Sequence, residues 1–368
     1  MKKEFVMSLL VGIVGLSQSG KTTIFEALTS SGVSSDLKSA SKKPNMATIP
    51  IYDARLDDLA LHFKSKKITP ATLEFVDLPG LRKGATADET KSLLSQVKEA
   101  DLFVHIVRCF ENETAPHPEG SIDPQRDIKT LDFELMIADL STVEKRIERV
   151  SKLAKSGDEK AKAVLKLMQQ LKAFLEEEKP LRLYKFKEEE LKLISDVEFL
   201  STKPVVYVAN LNEGESQISE DLFKIVEEHS KAEESYAMKI YGKVEAELAE
   251  LPLEERKEFL SSYGLKESGL ERVVKVAFDK LDLMTFLTAG EKETRAWTIR
   301  KGTKAPQAAG KIHSDIERGF IRVEVYTYDD WVKCGRDEKK VKEKGLLRVE
   351  GKDYIIKEGD ICLFRFNV

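Results

Sequence analysis

Residues 15–22 read GLSQSGKT, a complete match to G-x-x-x-x-G-K-[ST], and their setting decides the fold. The apolar run LLVGIV (9–14) comes immediately before, and TTIFEALTS (22–30), with helix-forming residues, comes immediately after. A buried strand, a glycine-rich loop and a helix start, in that order, make a cradle for phosphate. Gly15 and Gly20 let the loop curl so that backbone N–H groups face phosphate oxygens, and the helix adds its positive N-terminal end. In this pattern Lys21 reaches the β and γ phosphates and Thr22 places its hydroxyl on Mg²⁺. Ser17, Gln18, Ser19 and Thr23 complete the set of candidate phosphate contacts.

A second element fits the first. The stretch EFVDLPGL (74–81) is an apolar strand ending in Asp77, an acceptor suited to Mg²⁺ or its water, followed by Gly80, whose N–H is free to approach a γ phosphate. The next residue is Leu81, where Ras-type enzymes carry a water-positioning glutamine. A leucine side chain forms no hydrogen bond to water, so slow hydrolysis is expected.

Working outward, short apolar runs at 9–14, 72–77, 102–108, 204–210 and 236–241 alternate with amphipathic stretches. This is the pattern of a parallel sheet covered by helices, and nearly continuous apolar runs predict strands buried on both faces. Residues 131–200 interrupt it with a Lys, Glu, Leu and Ala-rich insertion. Val143, Ile147 and Val150, then Val164, Met168, Leu171 and Leu175, recur at helix-stripe spacing, and KSGDE (155–159) offers a turn between them. An antiparallel helical hairpin is expected. From 283 onward the texture becomes short alternating strands with turns, a small β-rich module. The expected parts are therefore a discontinuous P-loop nucleotide-binding domain (1–130 and 201–282), the insertion (131–200) and a C-terminal domain (283–368).

Composition sets the class. A charged fraction of 34% and a hydrophobic fraction of 41% suit a soluble globular protein, and a net charge of −4 gives no overall attraction to nucleic acid. No DNA partner is expected. Residues 291–368 alone carry 18 Lys and Arg against 14 Asp and Glu, a mild bias toward RNA contact, with Arg300, Lys301 and Lys304 of RKGTK as candidates. Three scattered cysteines argue against a disulfide framework. The N-terminal MKKEFVMSLLVGIVGL imitates a secretory signal but leads into the P-loop without a small-residue cleavage site, and its apolar run is too short to span a bilayer. A cytoplasmic protein without a membrane partner is expected.

The base is addressed by VANLNEGE (208–215). A GTPase carries Asn-Lys-x-Asp here, because the Asp carboxylate accepts the guanine N1 and N2 donors that adenine lacks. This chain has Asn210, Leu211, Asn212 and Glu213. Asn210 retains an amide able to serve N7 and an exocyclic amine at once. The departure from the guanine pattern weakens GTP without establishing ATP.

Together GLSQSGKTTIFEALT, ATLEFVDLPGLRKGA, ADLFVHIVRCFEN, EGSIDPQRDI, NLNE, KVEAELAEL, FLTAGEKETRAWTIRKGTKAPQAAGKIHSDIERGFIRVEVYTYDDW and EGKDYIIKEGDICLFRFNV closely resemble the Obg-like ATPases of the YchF type over nearly the whole chain. The resemblance implies an α/β fold: a Ras-like P-loop NTPase domain, an inserted helical coiled coil and a C-terminal β-grasp (TGS) domain. It also implies preference for ATP through an Asn-x-x-Glu motif matching Asn210 and Glu213, and association with ribosomes or ribosomal RNA in translation or stress. The family's catalytic histidine falls on His117 of ENETAPHPEG, and a polar, flexible loop suits a residue that swings toward the γ phosphate. Departures are visible too. Ser17, Gln18 and Ser19 replace Pro-Asn-Val, and loss of the asparagine at Gln18 argues against K⁺ activation. The switch threonine that ligates the metal is replaced in SASKKPNM by Ser41, with Thr48 as the other candidate; the Ser-Ala-Lys base loop becomes Tyr241-Gly242-Lys243, leaving Lys243 to lie against a purine.

The leading expectation is an ATP-hydrolysing switch whose segments around 34–50 and 80–92 change order between nucleotide states. An Obg-type GTPase with relaxed base choice and a nucleotide-responsive binder with negligible turnover are the alternatives.

Overall fold

The computed structural model describes residues 9–31, 45–80, 94–214, 216–262 and 265–367. In chain order the elements begin β1 (Leu10–Val14), α1 (Lys21–Ser31), β2 (Met46–Ile51), α2 (Ala54–Phe63), β3 (Ile68–Thr69), β4 (Ala71–Asp77), α3 (94–99) and β5 (Leu102–Cys109). There follow α4 (Pro124–Lys155), α5 (Glu159–Glu176), α6 (Glu188–Leu193), β6 (Val205–Leu211), α7 (Gln217–Ala232), β7 (Tyr236–Ile240), α8 (Gly242–Glu250), α9 (Leu253–Ser262) and α10 (Gly269–Lys280). The C-terminal elements are β8 (Leu283–Thr288), β9 (Thr294–Arg300), α11 (Ala305–Ile312), α12 (Ser314–Arg318), β10 (Phe320–Thr327), α13 (Tyr328–Lys333), α14 (Glu338–Glu343), β11 (Arg348–Glu350) and β12 (Asp360–Phe366). They divide into two compact units, Leu9–Ala47 with Phe75–Val273, and Thr48–Glu74 with Val274–Val368.

One sheet has the order β2-β4-β1-β5-β6-β7. All five strands read from apolar runs are present, and the β1–β5, β5–β6 and β6–β7 ladders are parallel. Every residue of β1, β5 and β6 is buried, as strands covered on both faces require. The expectation fails for β4, whose Thr72, Glu74 and Asp77 are half-buried, and for β7, where only Ile240 is buried. Among the described residues β7 has a single neighbour in the sheet, so one flank is unpaired. The β2 strand has no long apolar run and escaped the sequence reading.

The helical insertion forms as a pair. Asp123 caps α4 by accepting from the Arg126 N–H, with Pro124 at the first helical position. The helix runs on from there, before the expected start of the insertion. It stops at Lys155; Gly157, at φ +96°, turns the chain, and Asp158 caps α5. KSGDE is thus the turn its residues suggest. Val143, Val150, Val164, Met168, Leu171 and Leu175 pack into one core. At its base the Asp139 carboxylate accepts from the N–H groups of Leu200 and Ser201, both at 2.7 Å, and from the Ser201 hydroxyl.

The second unit holds a sheet of order β11-β10-β12-β8-β9-β3. On one side Met284, Ile299, Val323 and Phe364 pack with Ala305, Ala308 and Ala309 of α11; another cluster gathers Leu287, Ala296, Tyr326 and Ile361 with Trp331 of α13 and Leu56 and Leu59 of α2. The YDDW end of an expected strand is the start of α13, because Thr327 accepts from the Asp330 N–H and caps a helix there. In RKGTK, Lys304 pairs with Asp353 at 2.7 Å and Lys301 approaches Asp279 at 3.6 Å.

Candidate nucleotide-binding site

The loop after β1 curls as its glycines predict. Gly15 and Gly20 have φ of +146° and +91°, and Gln18 at the apex takes φ +62°. A Cβ at Gly15 would lie 2.4 Å from the Ile106 carbonyl, and one at Gly20 would lie 2.3 Å from Asn210 Nδ2. Both positions therefore exclude side chains. Lys21 opens α1 with its ammonium buried, donating to the Leu16 carbonyl at 2.8 Å. Burial lowers its pKa to about 8, with the Asp77 carboxylate pulling the other way. Ser19 is buried with its hydroxyl lacking a hydrogen-bond partner among the described residues, whereas Gln18 and Thr23 are exposed and Ser17 is half-buried.

The end of β4 meets the start of α1. Thr22 Oγ1 donates to Asp77 Oδ2 at 3.0 Å, while Asp77 Oδ1 is buried without a partner among the described residues. Burial raises the Asp77 pKa against the opposing pull of Thr22 and Lys21. A hydroxyl beside an unsatisfied carboxylate oxygen is a donor set that fits a hard divalent cation or its water. Gly80 closes over the loop: a Cβ there would sit 2.8 Å from Lys21 Nζ and 2.9 Å from the Ser17 nitrogen. Leu81 and Ser41 lie outside the described residues, and Thr48 is half-buried within β2.

Asn210, at the C-terminal end of β6, has both ends of its amide engaged. Nδ2 donates to the Ser19 carbonyl at 3.0 Å, and Oδ1 accepts from the Gly242 N–H at 3.0 Å. It joins the phosphate loop to the first turn of α8 and caps one of that helix's orphan donors. The second amide hydrogen and the second lone pair of Oδ1 are left over from this clamp. Leu211 departs from expectation: its side chain is buried in the core of this unit, leaving only backbone to a ligand. Asn212 is exposed and donates to the Glu111 carbonyl at 3.3 Å. Glu213 and Lys243 are exposed.

His117 is held where a swinging residue was expected. Its Nε2 lies 2.8 Å from Asp127 Oδ2, and its Nδ1 accepts from the Glu119 N–H at 3.1 Å. The cause is local, since Asp127 sits in the first turn of α4, ten residues on, and both side chains are sealed. Sequence reading also missed Arg108, a buried residue whose signal is a lone cation at the end of the apolar strand LFVHIVRC. Farther along, Asp132, His229 and Glu233 cluster within metal-ligand reach of one another, but Arg182 pairs with the two carboxylates, 2.6 Å from Asp132 and 2.9 Å from Glu233.

Comparison with known proteins places these features. A family model described as 50S ribosome-binding GTPase matches residues 10–136, and the YchF-type GTPase C-terminal model, described as a protein of unknown function (DUF933), matches residues 283–367. The chain is 42% identical over 368 residues to the ribosome-binding ATPase YchF of Bacillus subtilis, covering 98% of this chain and all of that one. It is 39% identical to Obg-like ATPase 1 of Pongo abelii, covering 99% of this chain and 94% of that protein. The solved structure of the Schizosaccharomyces pombe YchF GTPase matches with a TM-score of 0.87 at 31% identity, covering 97% of this chain and 98% of the other. With a P-loop, a metal-suited Thr–Asp pair and an Asn-x-x-Glu base segment carried on full-length similarity, the chain belongs to the YchF family of Obg-like ATPases.

Proposed function

We propose that the chain binds ATP with Mg²⁺ and hydrolyses it slowly, and that the nucleotide state governs association with the ribosome. The observation that carries this reading is the convergence of Lys21, the Thr22–Asp77 pair, Gly80 and Asn210 around one glycine-rich loop. In this proposal Ser17, Gln18, Ser19, Gly20 and Thr23 line the phosphates through the loop and the start of α1. Lys21 gives up the Leu16 carbonyl for phosphate oxygens, which replaces a neutral acceptor by an anion and stabilises the charged amine. Thr22 and Asp77 hold the metal, which when bound neutralises phosphate charge. The Ser41 or Thr48 hydroxyl supplies the remaining protein ligand. Asn210 spends its free amide hydrogen on N7, common to both purines. Discrimination then falls to Asn212, Glu213 and the backbone near Lys243. His117 orients the attacking water only after leaving Asp127, and with leucine at 81 turnover stays slow.

Ribosome association is supported by the relatives, which are ribosome-binding ATPases by name, and a cytoplasmic site of action goes with it. Among the described residues no helix is long and apolar enough to cross a membrane. We assign nucleotide chemistry to 1–130 with 201–282, and partner contact to the insertion 131–200 and the TGS-like part 283–368.

The test is competition of unlabelled ATP and GTP against a fluorescent ADP analogue in Mg²⁺, followed by phosphate release on the same sample. ATP ahead by about tenfold, equivalent to ~1.4 kcal/mol, supports the adenine reading. GTP ahead would make the chain a GTPase, as the name of the fission-yeast relative has it. Tight ATP binding without phosphate release over hours would make it a silent binder.

A further inference from the structure

β5 is apolar almost to its end, where Arg108 stands 2% exposed. Its guanidinium meets three backbone carbonyls from two segments, the phosphate loop and the connector after β5. Nε donates to Phe110 at 3.1 Å, Nη2 to Ala115 at 2.8 Å and Nη1 to Gln18 at 3.3 Å. The Phe110 ring lies 4.6 Å from the guanidinium carbon. Among the described residues no carboxylate pairs with it; Asp127 acts on it only through space, and burial lowers its pKa. Burying a cation on neutral carbonyls alone is costly, which makes its placement informative.

The Gln18 contact has a geometric consequence. In a trans peptide the C=O and the following N–H point in opposite directions. Holding the Gln18 carbonyl toward Arg108 therefore turns the Ser19 N–H to the other side, where its acceptor is the Leu16 carbonyl at 3.4 Å. That same carbonyl takes Lys21 Nζ, so the Ser19 N–H and the Lys21 ammonium converge on one acceptor, away from Arg108. Asn210 does the same for the next peptide by holding the Ser19 carbonyl. Arg108 and Asn210 are direct partners in the β5–β6 register.

We propose that Arg108 is a positioning residue of the phosphate site: it holds the Gln18 carbonyl outward so that the Ser19 N–H is presented to the phosphate oxygens of a nucleoside di- or triphosphate. Through the Ala115 carbonyl it ties the segment leading to His117 to the same point. This inference rests on the nucleotide-binding reading above. The fork is essential to it, because a lysine supplies a point charge rather than donors fixed in a plane.

The experiment titrates the fluorescent ADP analogue, with ATP in competition, into the full chain, Arg108→Ala and Arg108→Lys, and records thermal midpoints alongside. Both variants are expected to bind ADP and ATP about tenfold or more weakly, with the ATP to GTP ratio of the parent retained. Millimolar methylguanidinium is expected to restore binding to Arg108→Ala, a rescue that a merely structural role would not produce. Parental affinity in either folded variant overturns the proposal. If Arg108→Ala does not fold, Arg108→Lys, which keeps the cation and its stem, decides alone. A parent chain that binds neither nucleotide defeats the underlying reading, whereas a binding parent with unaltered variants defeats only the role of Arg108.

Discussion

His117 and Asp127 hold each other at 2.8 Å, with side chains only 4% and 3% exposed. Because Nδ1 accepts from the Glu119 N–H, the ring proton sits on Nε2 and is donated to the carboxylate. Two hydrogen bonds must break before this imidazole reaches any other group. Asp127→Ala should destabilise the protein by about 1–3 kcal/mol, since it strands a buried donor, as urea unfolding would record. If His117 works on water, His117→Ala should lower phosphate release by about 10²-fold, while unchanged release would remove it from the chemistry.

Lys21 makes nucleotide affinity depend on pH. Its amine titrates near 8 in the folded chain, below the ordinary 10.5. The folded pKa is the lower one, so the unfolded chain holds the extra proton between pH 8 and 10.5. In that window this residue's contribution to stability rises with pH, and below pH 8 its burial is a cost. Phosphate stabilises the charged amine, so affinity should fall as pH rises through about 8, by up to about tenfold per unit. Calorimetry in buffers of different ionisation enthalpy should show proton uptake on binding above pH 8. Flat affinity from pH 7 to 9.5 would count against Lys21 as the phosphate ligand.

Gly242 stands where a Cβ would come within 2.9 Å of Asn210 Oδ1. Gly242→Ala must displace an amide fixed at both ends, so we expect a loss of about 1–3 kcal/mol together with weaker binding of ATP and GTP alike. A variant with full stability and affinity would show that the amide has room to move.

Arg182 joins Asp132 of α4 to Glu233, just beyond α7, with all three side chains at most 8% exposed. Arg182→Met leaves two buried carboxylates facing each other and should cost about 3–5 kcal/mol, read from chemical denaturation. A loss under about 0.5 kcal/mol, the scale of a surface substitution, would mean that water enters the cluster.

Glu213→Asp addresses base choice. A shorter carboxylate at the guanine-reading position should move the ATP to GTP ratio toward GTP in the same competition assay. An unaltered ratio would assign discrimination to the backbone around Gly242 and Lys243.

The sequence by itself determined the phosphate loop, the five apolar strands and the helical hairpin, because each rests on local chemistry: glycines at positive φ, continuous apolar runs, and a 3.6-residue stripe broken at Gly157. It also named Thr22 and Asp77 for one metal position, whereas the hydrogen bond between them came from the tertiary structure. Only the tertiary structure decided that Asn210 clamps two loops, that Leu211 belongs to the core, and that His117 is sealed against Asp127. It likewise decided that Arg108 faces Gln18 and that α2 packs with the C-terminal strands. The Asn210 and Arg108 contacts depend on groups that meet across long separations, 191 residues for Asn210 and Ser19 and 90 for Arg108 and Gln18, and even the ten-residue contact of His117 with Asp127 needs the chain between them to fold back. Local pattern fixes an element and its buried face, but the partner that satisfies a polar group is chosen by how the elements pack.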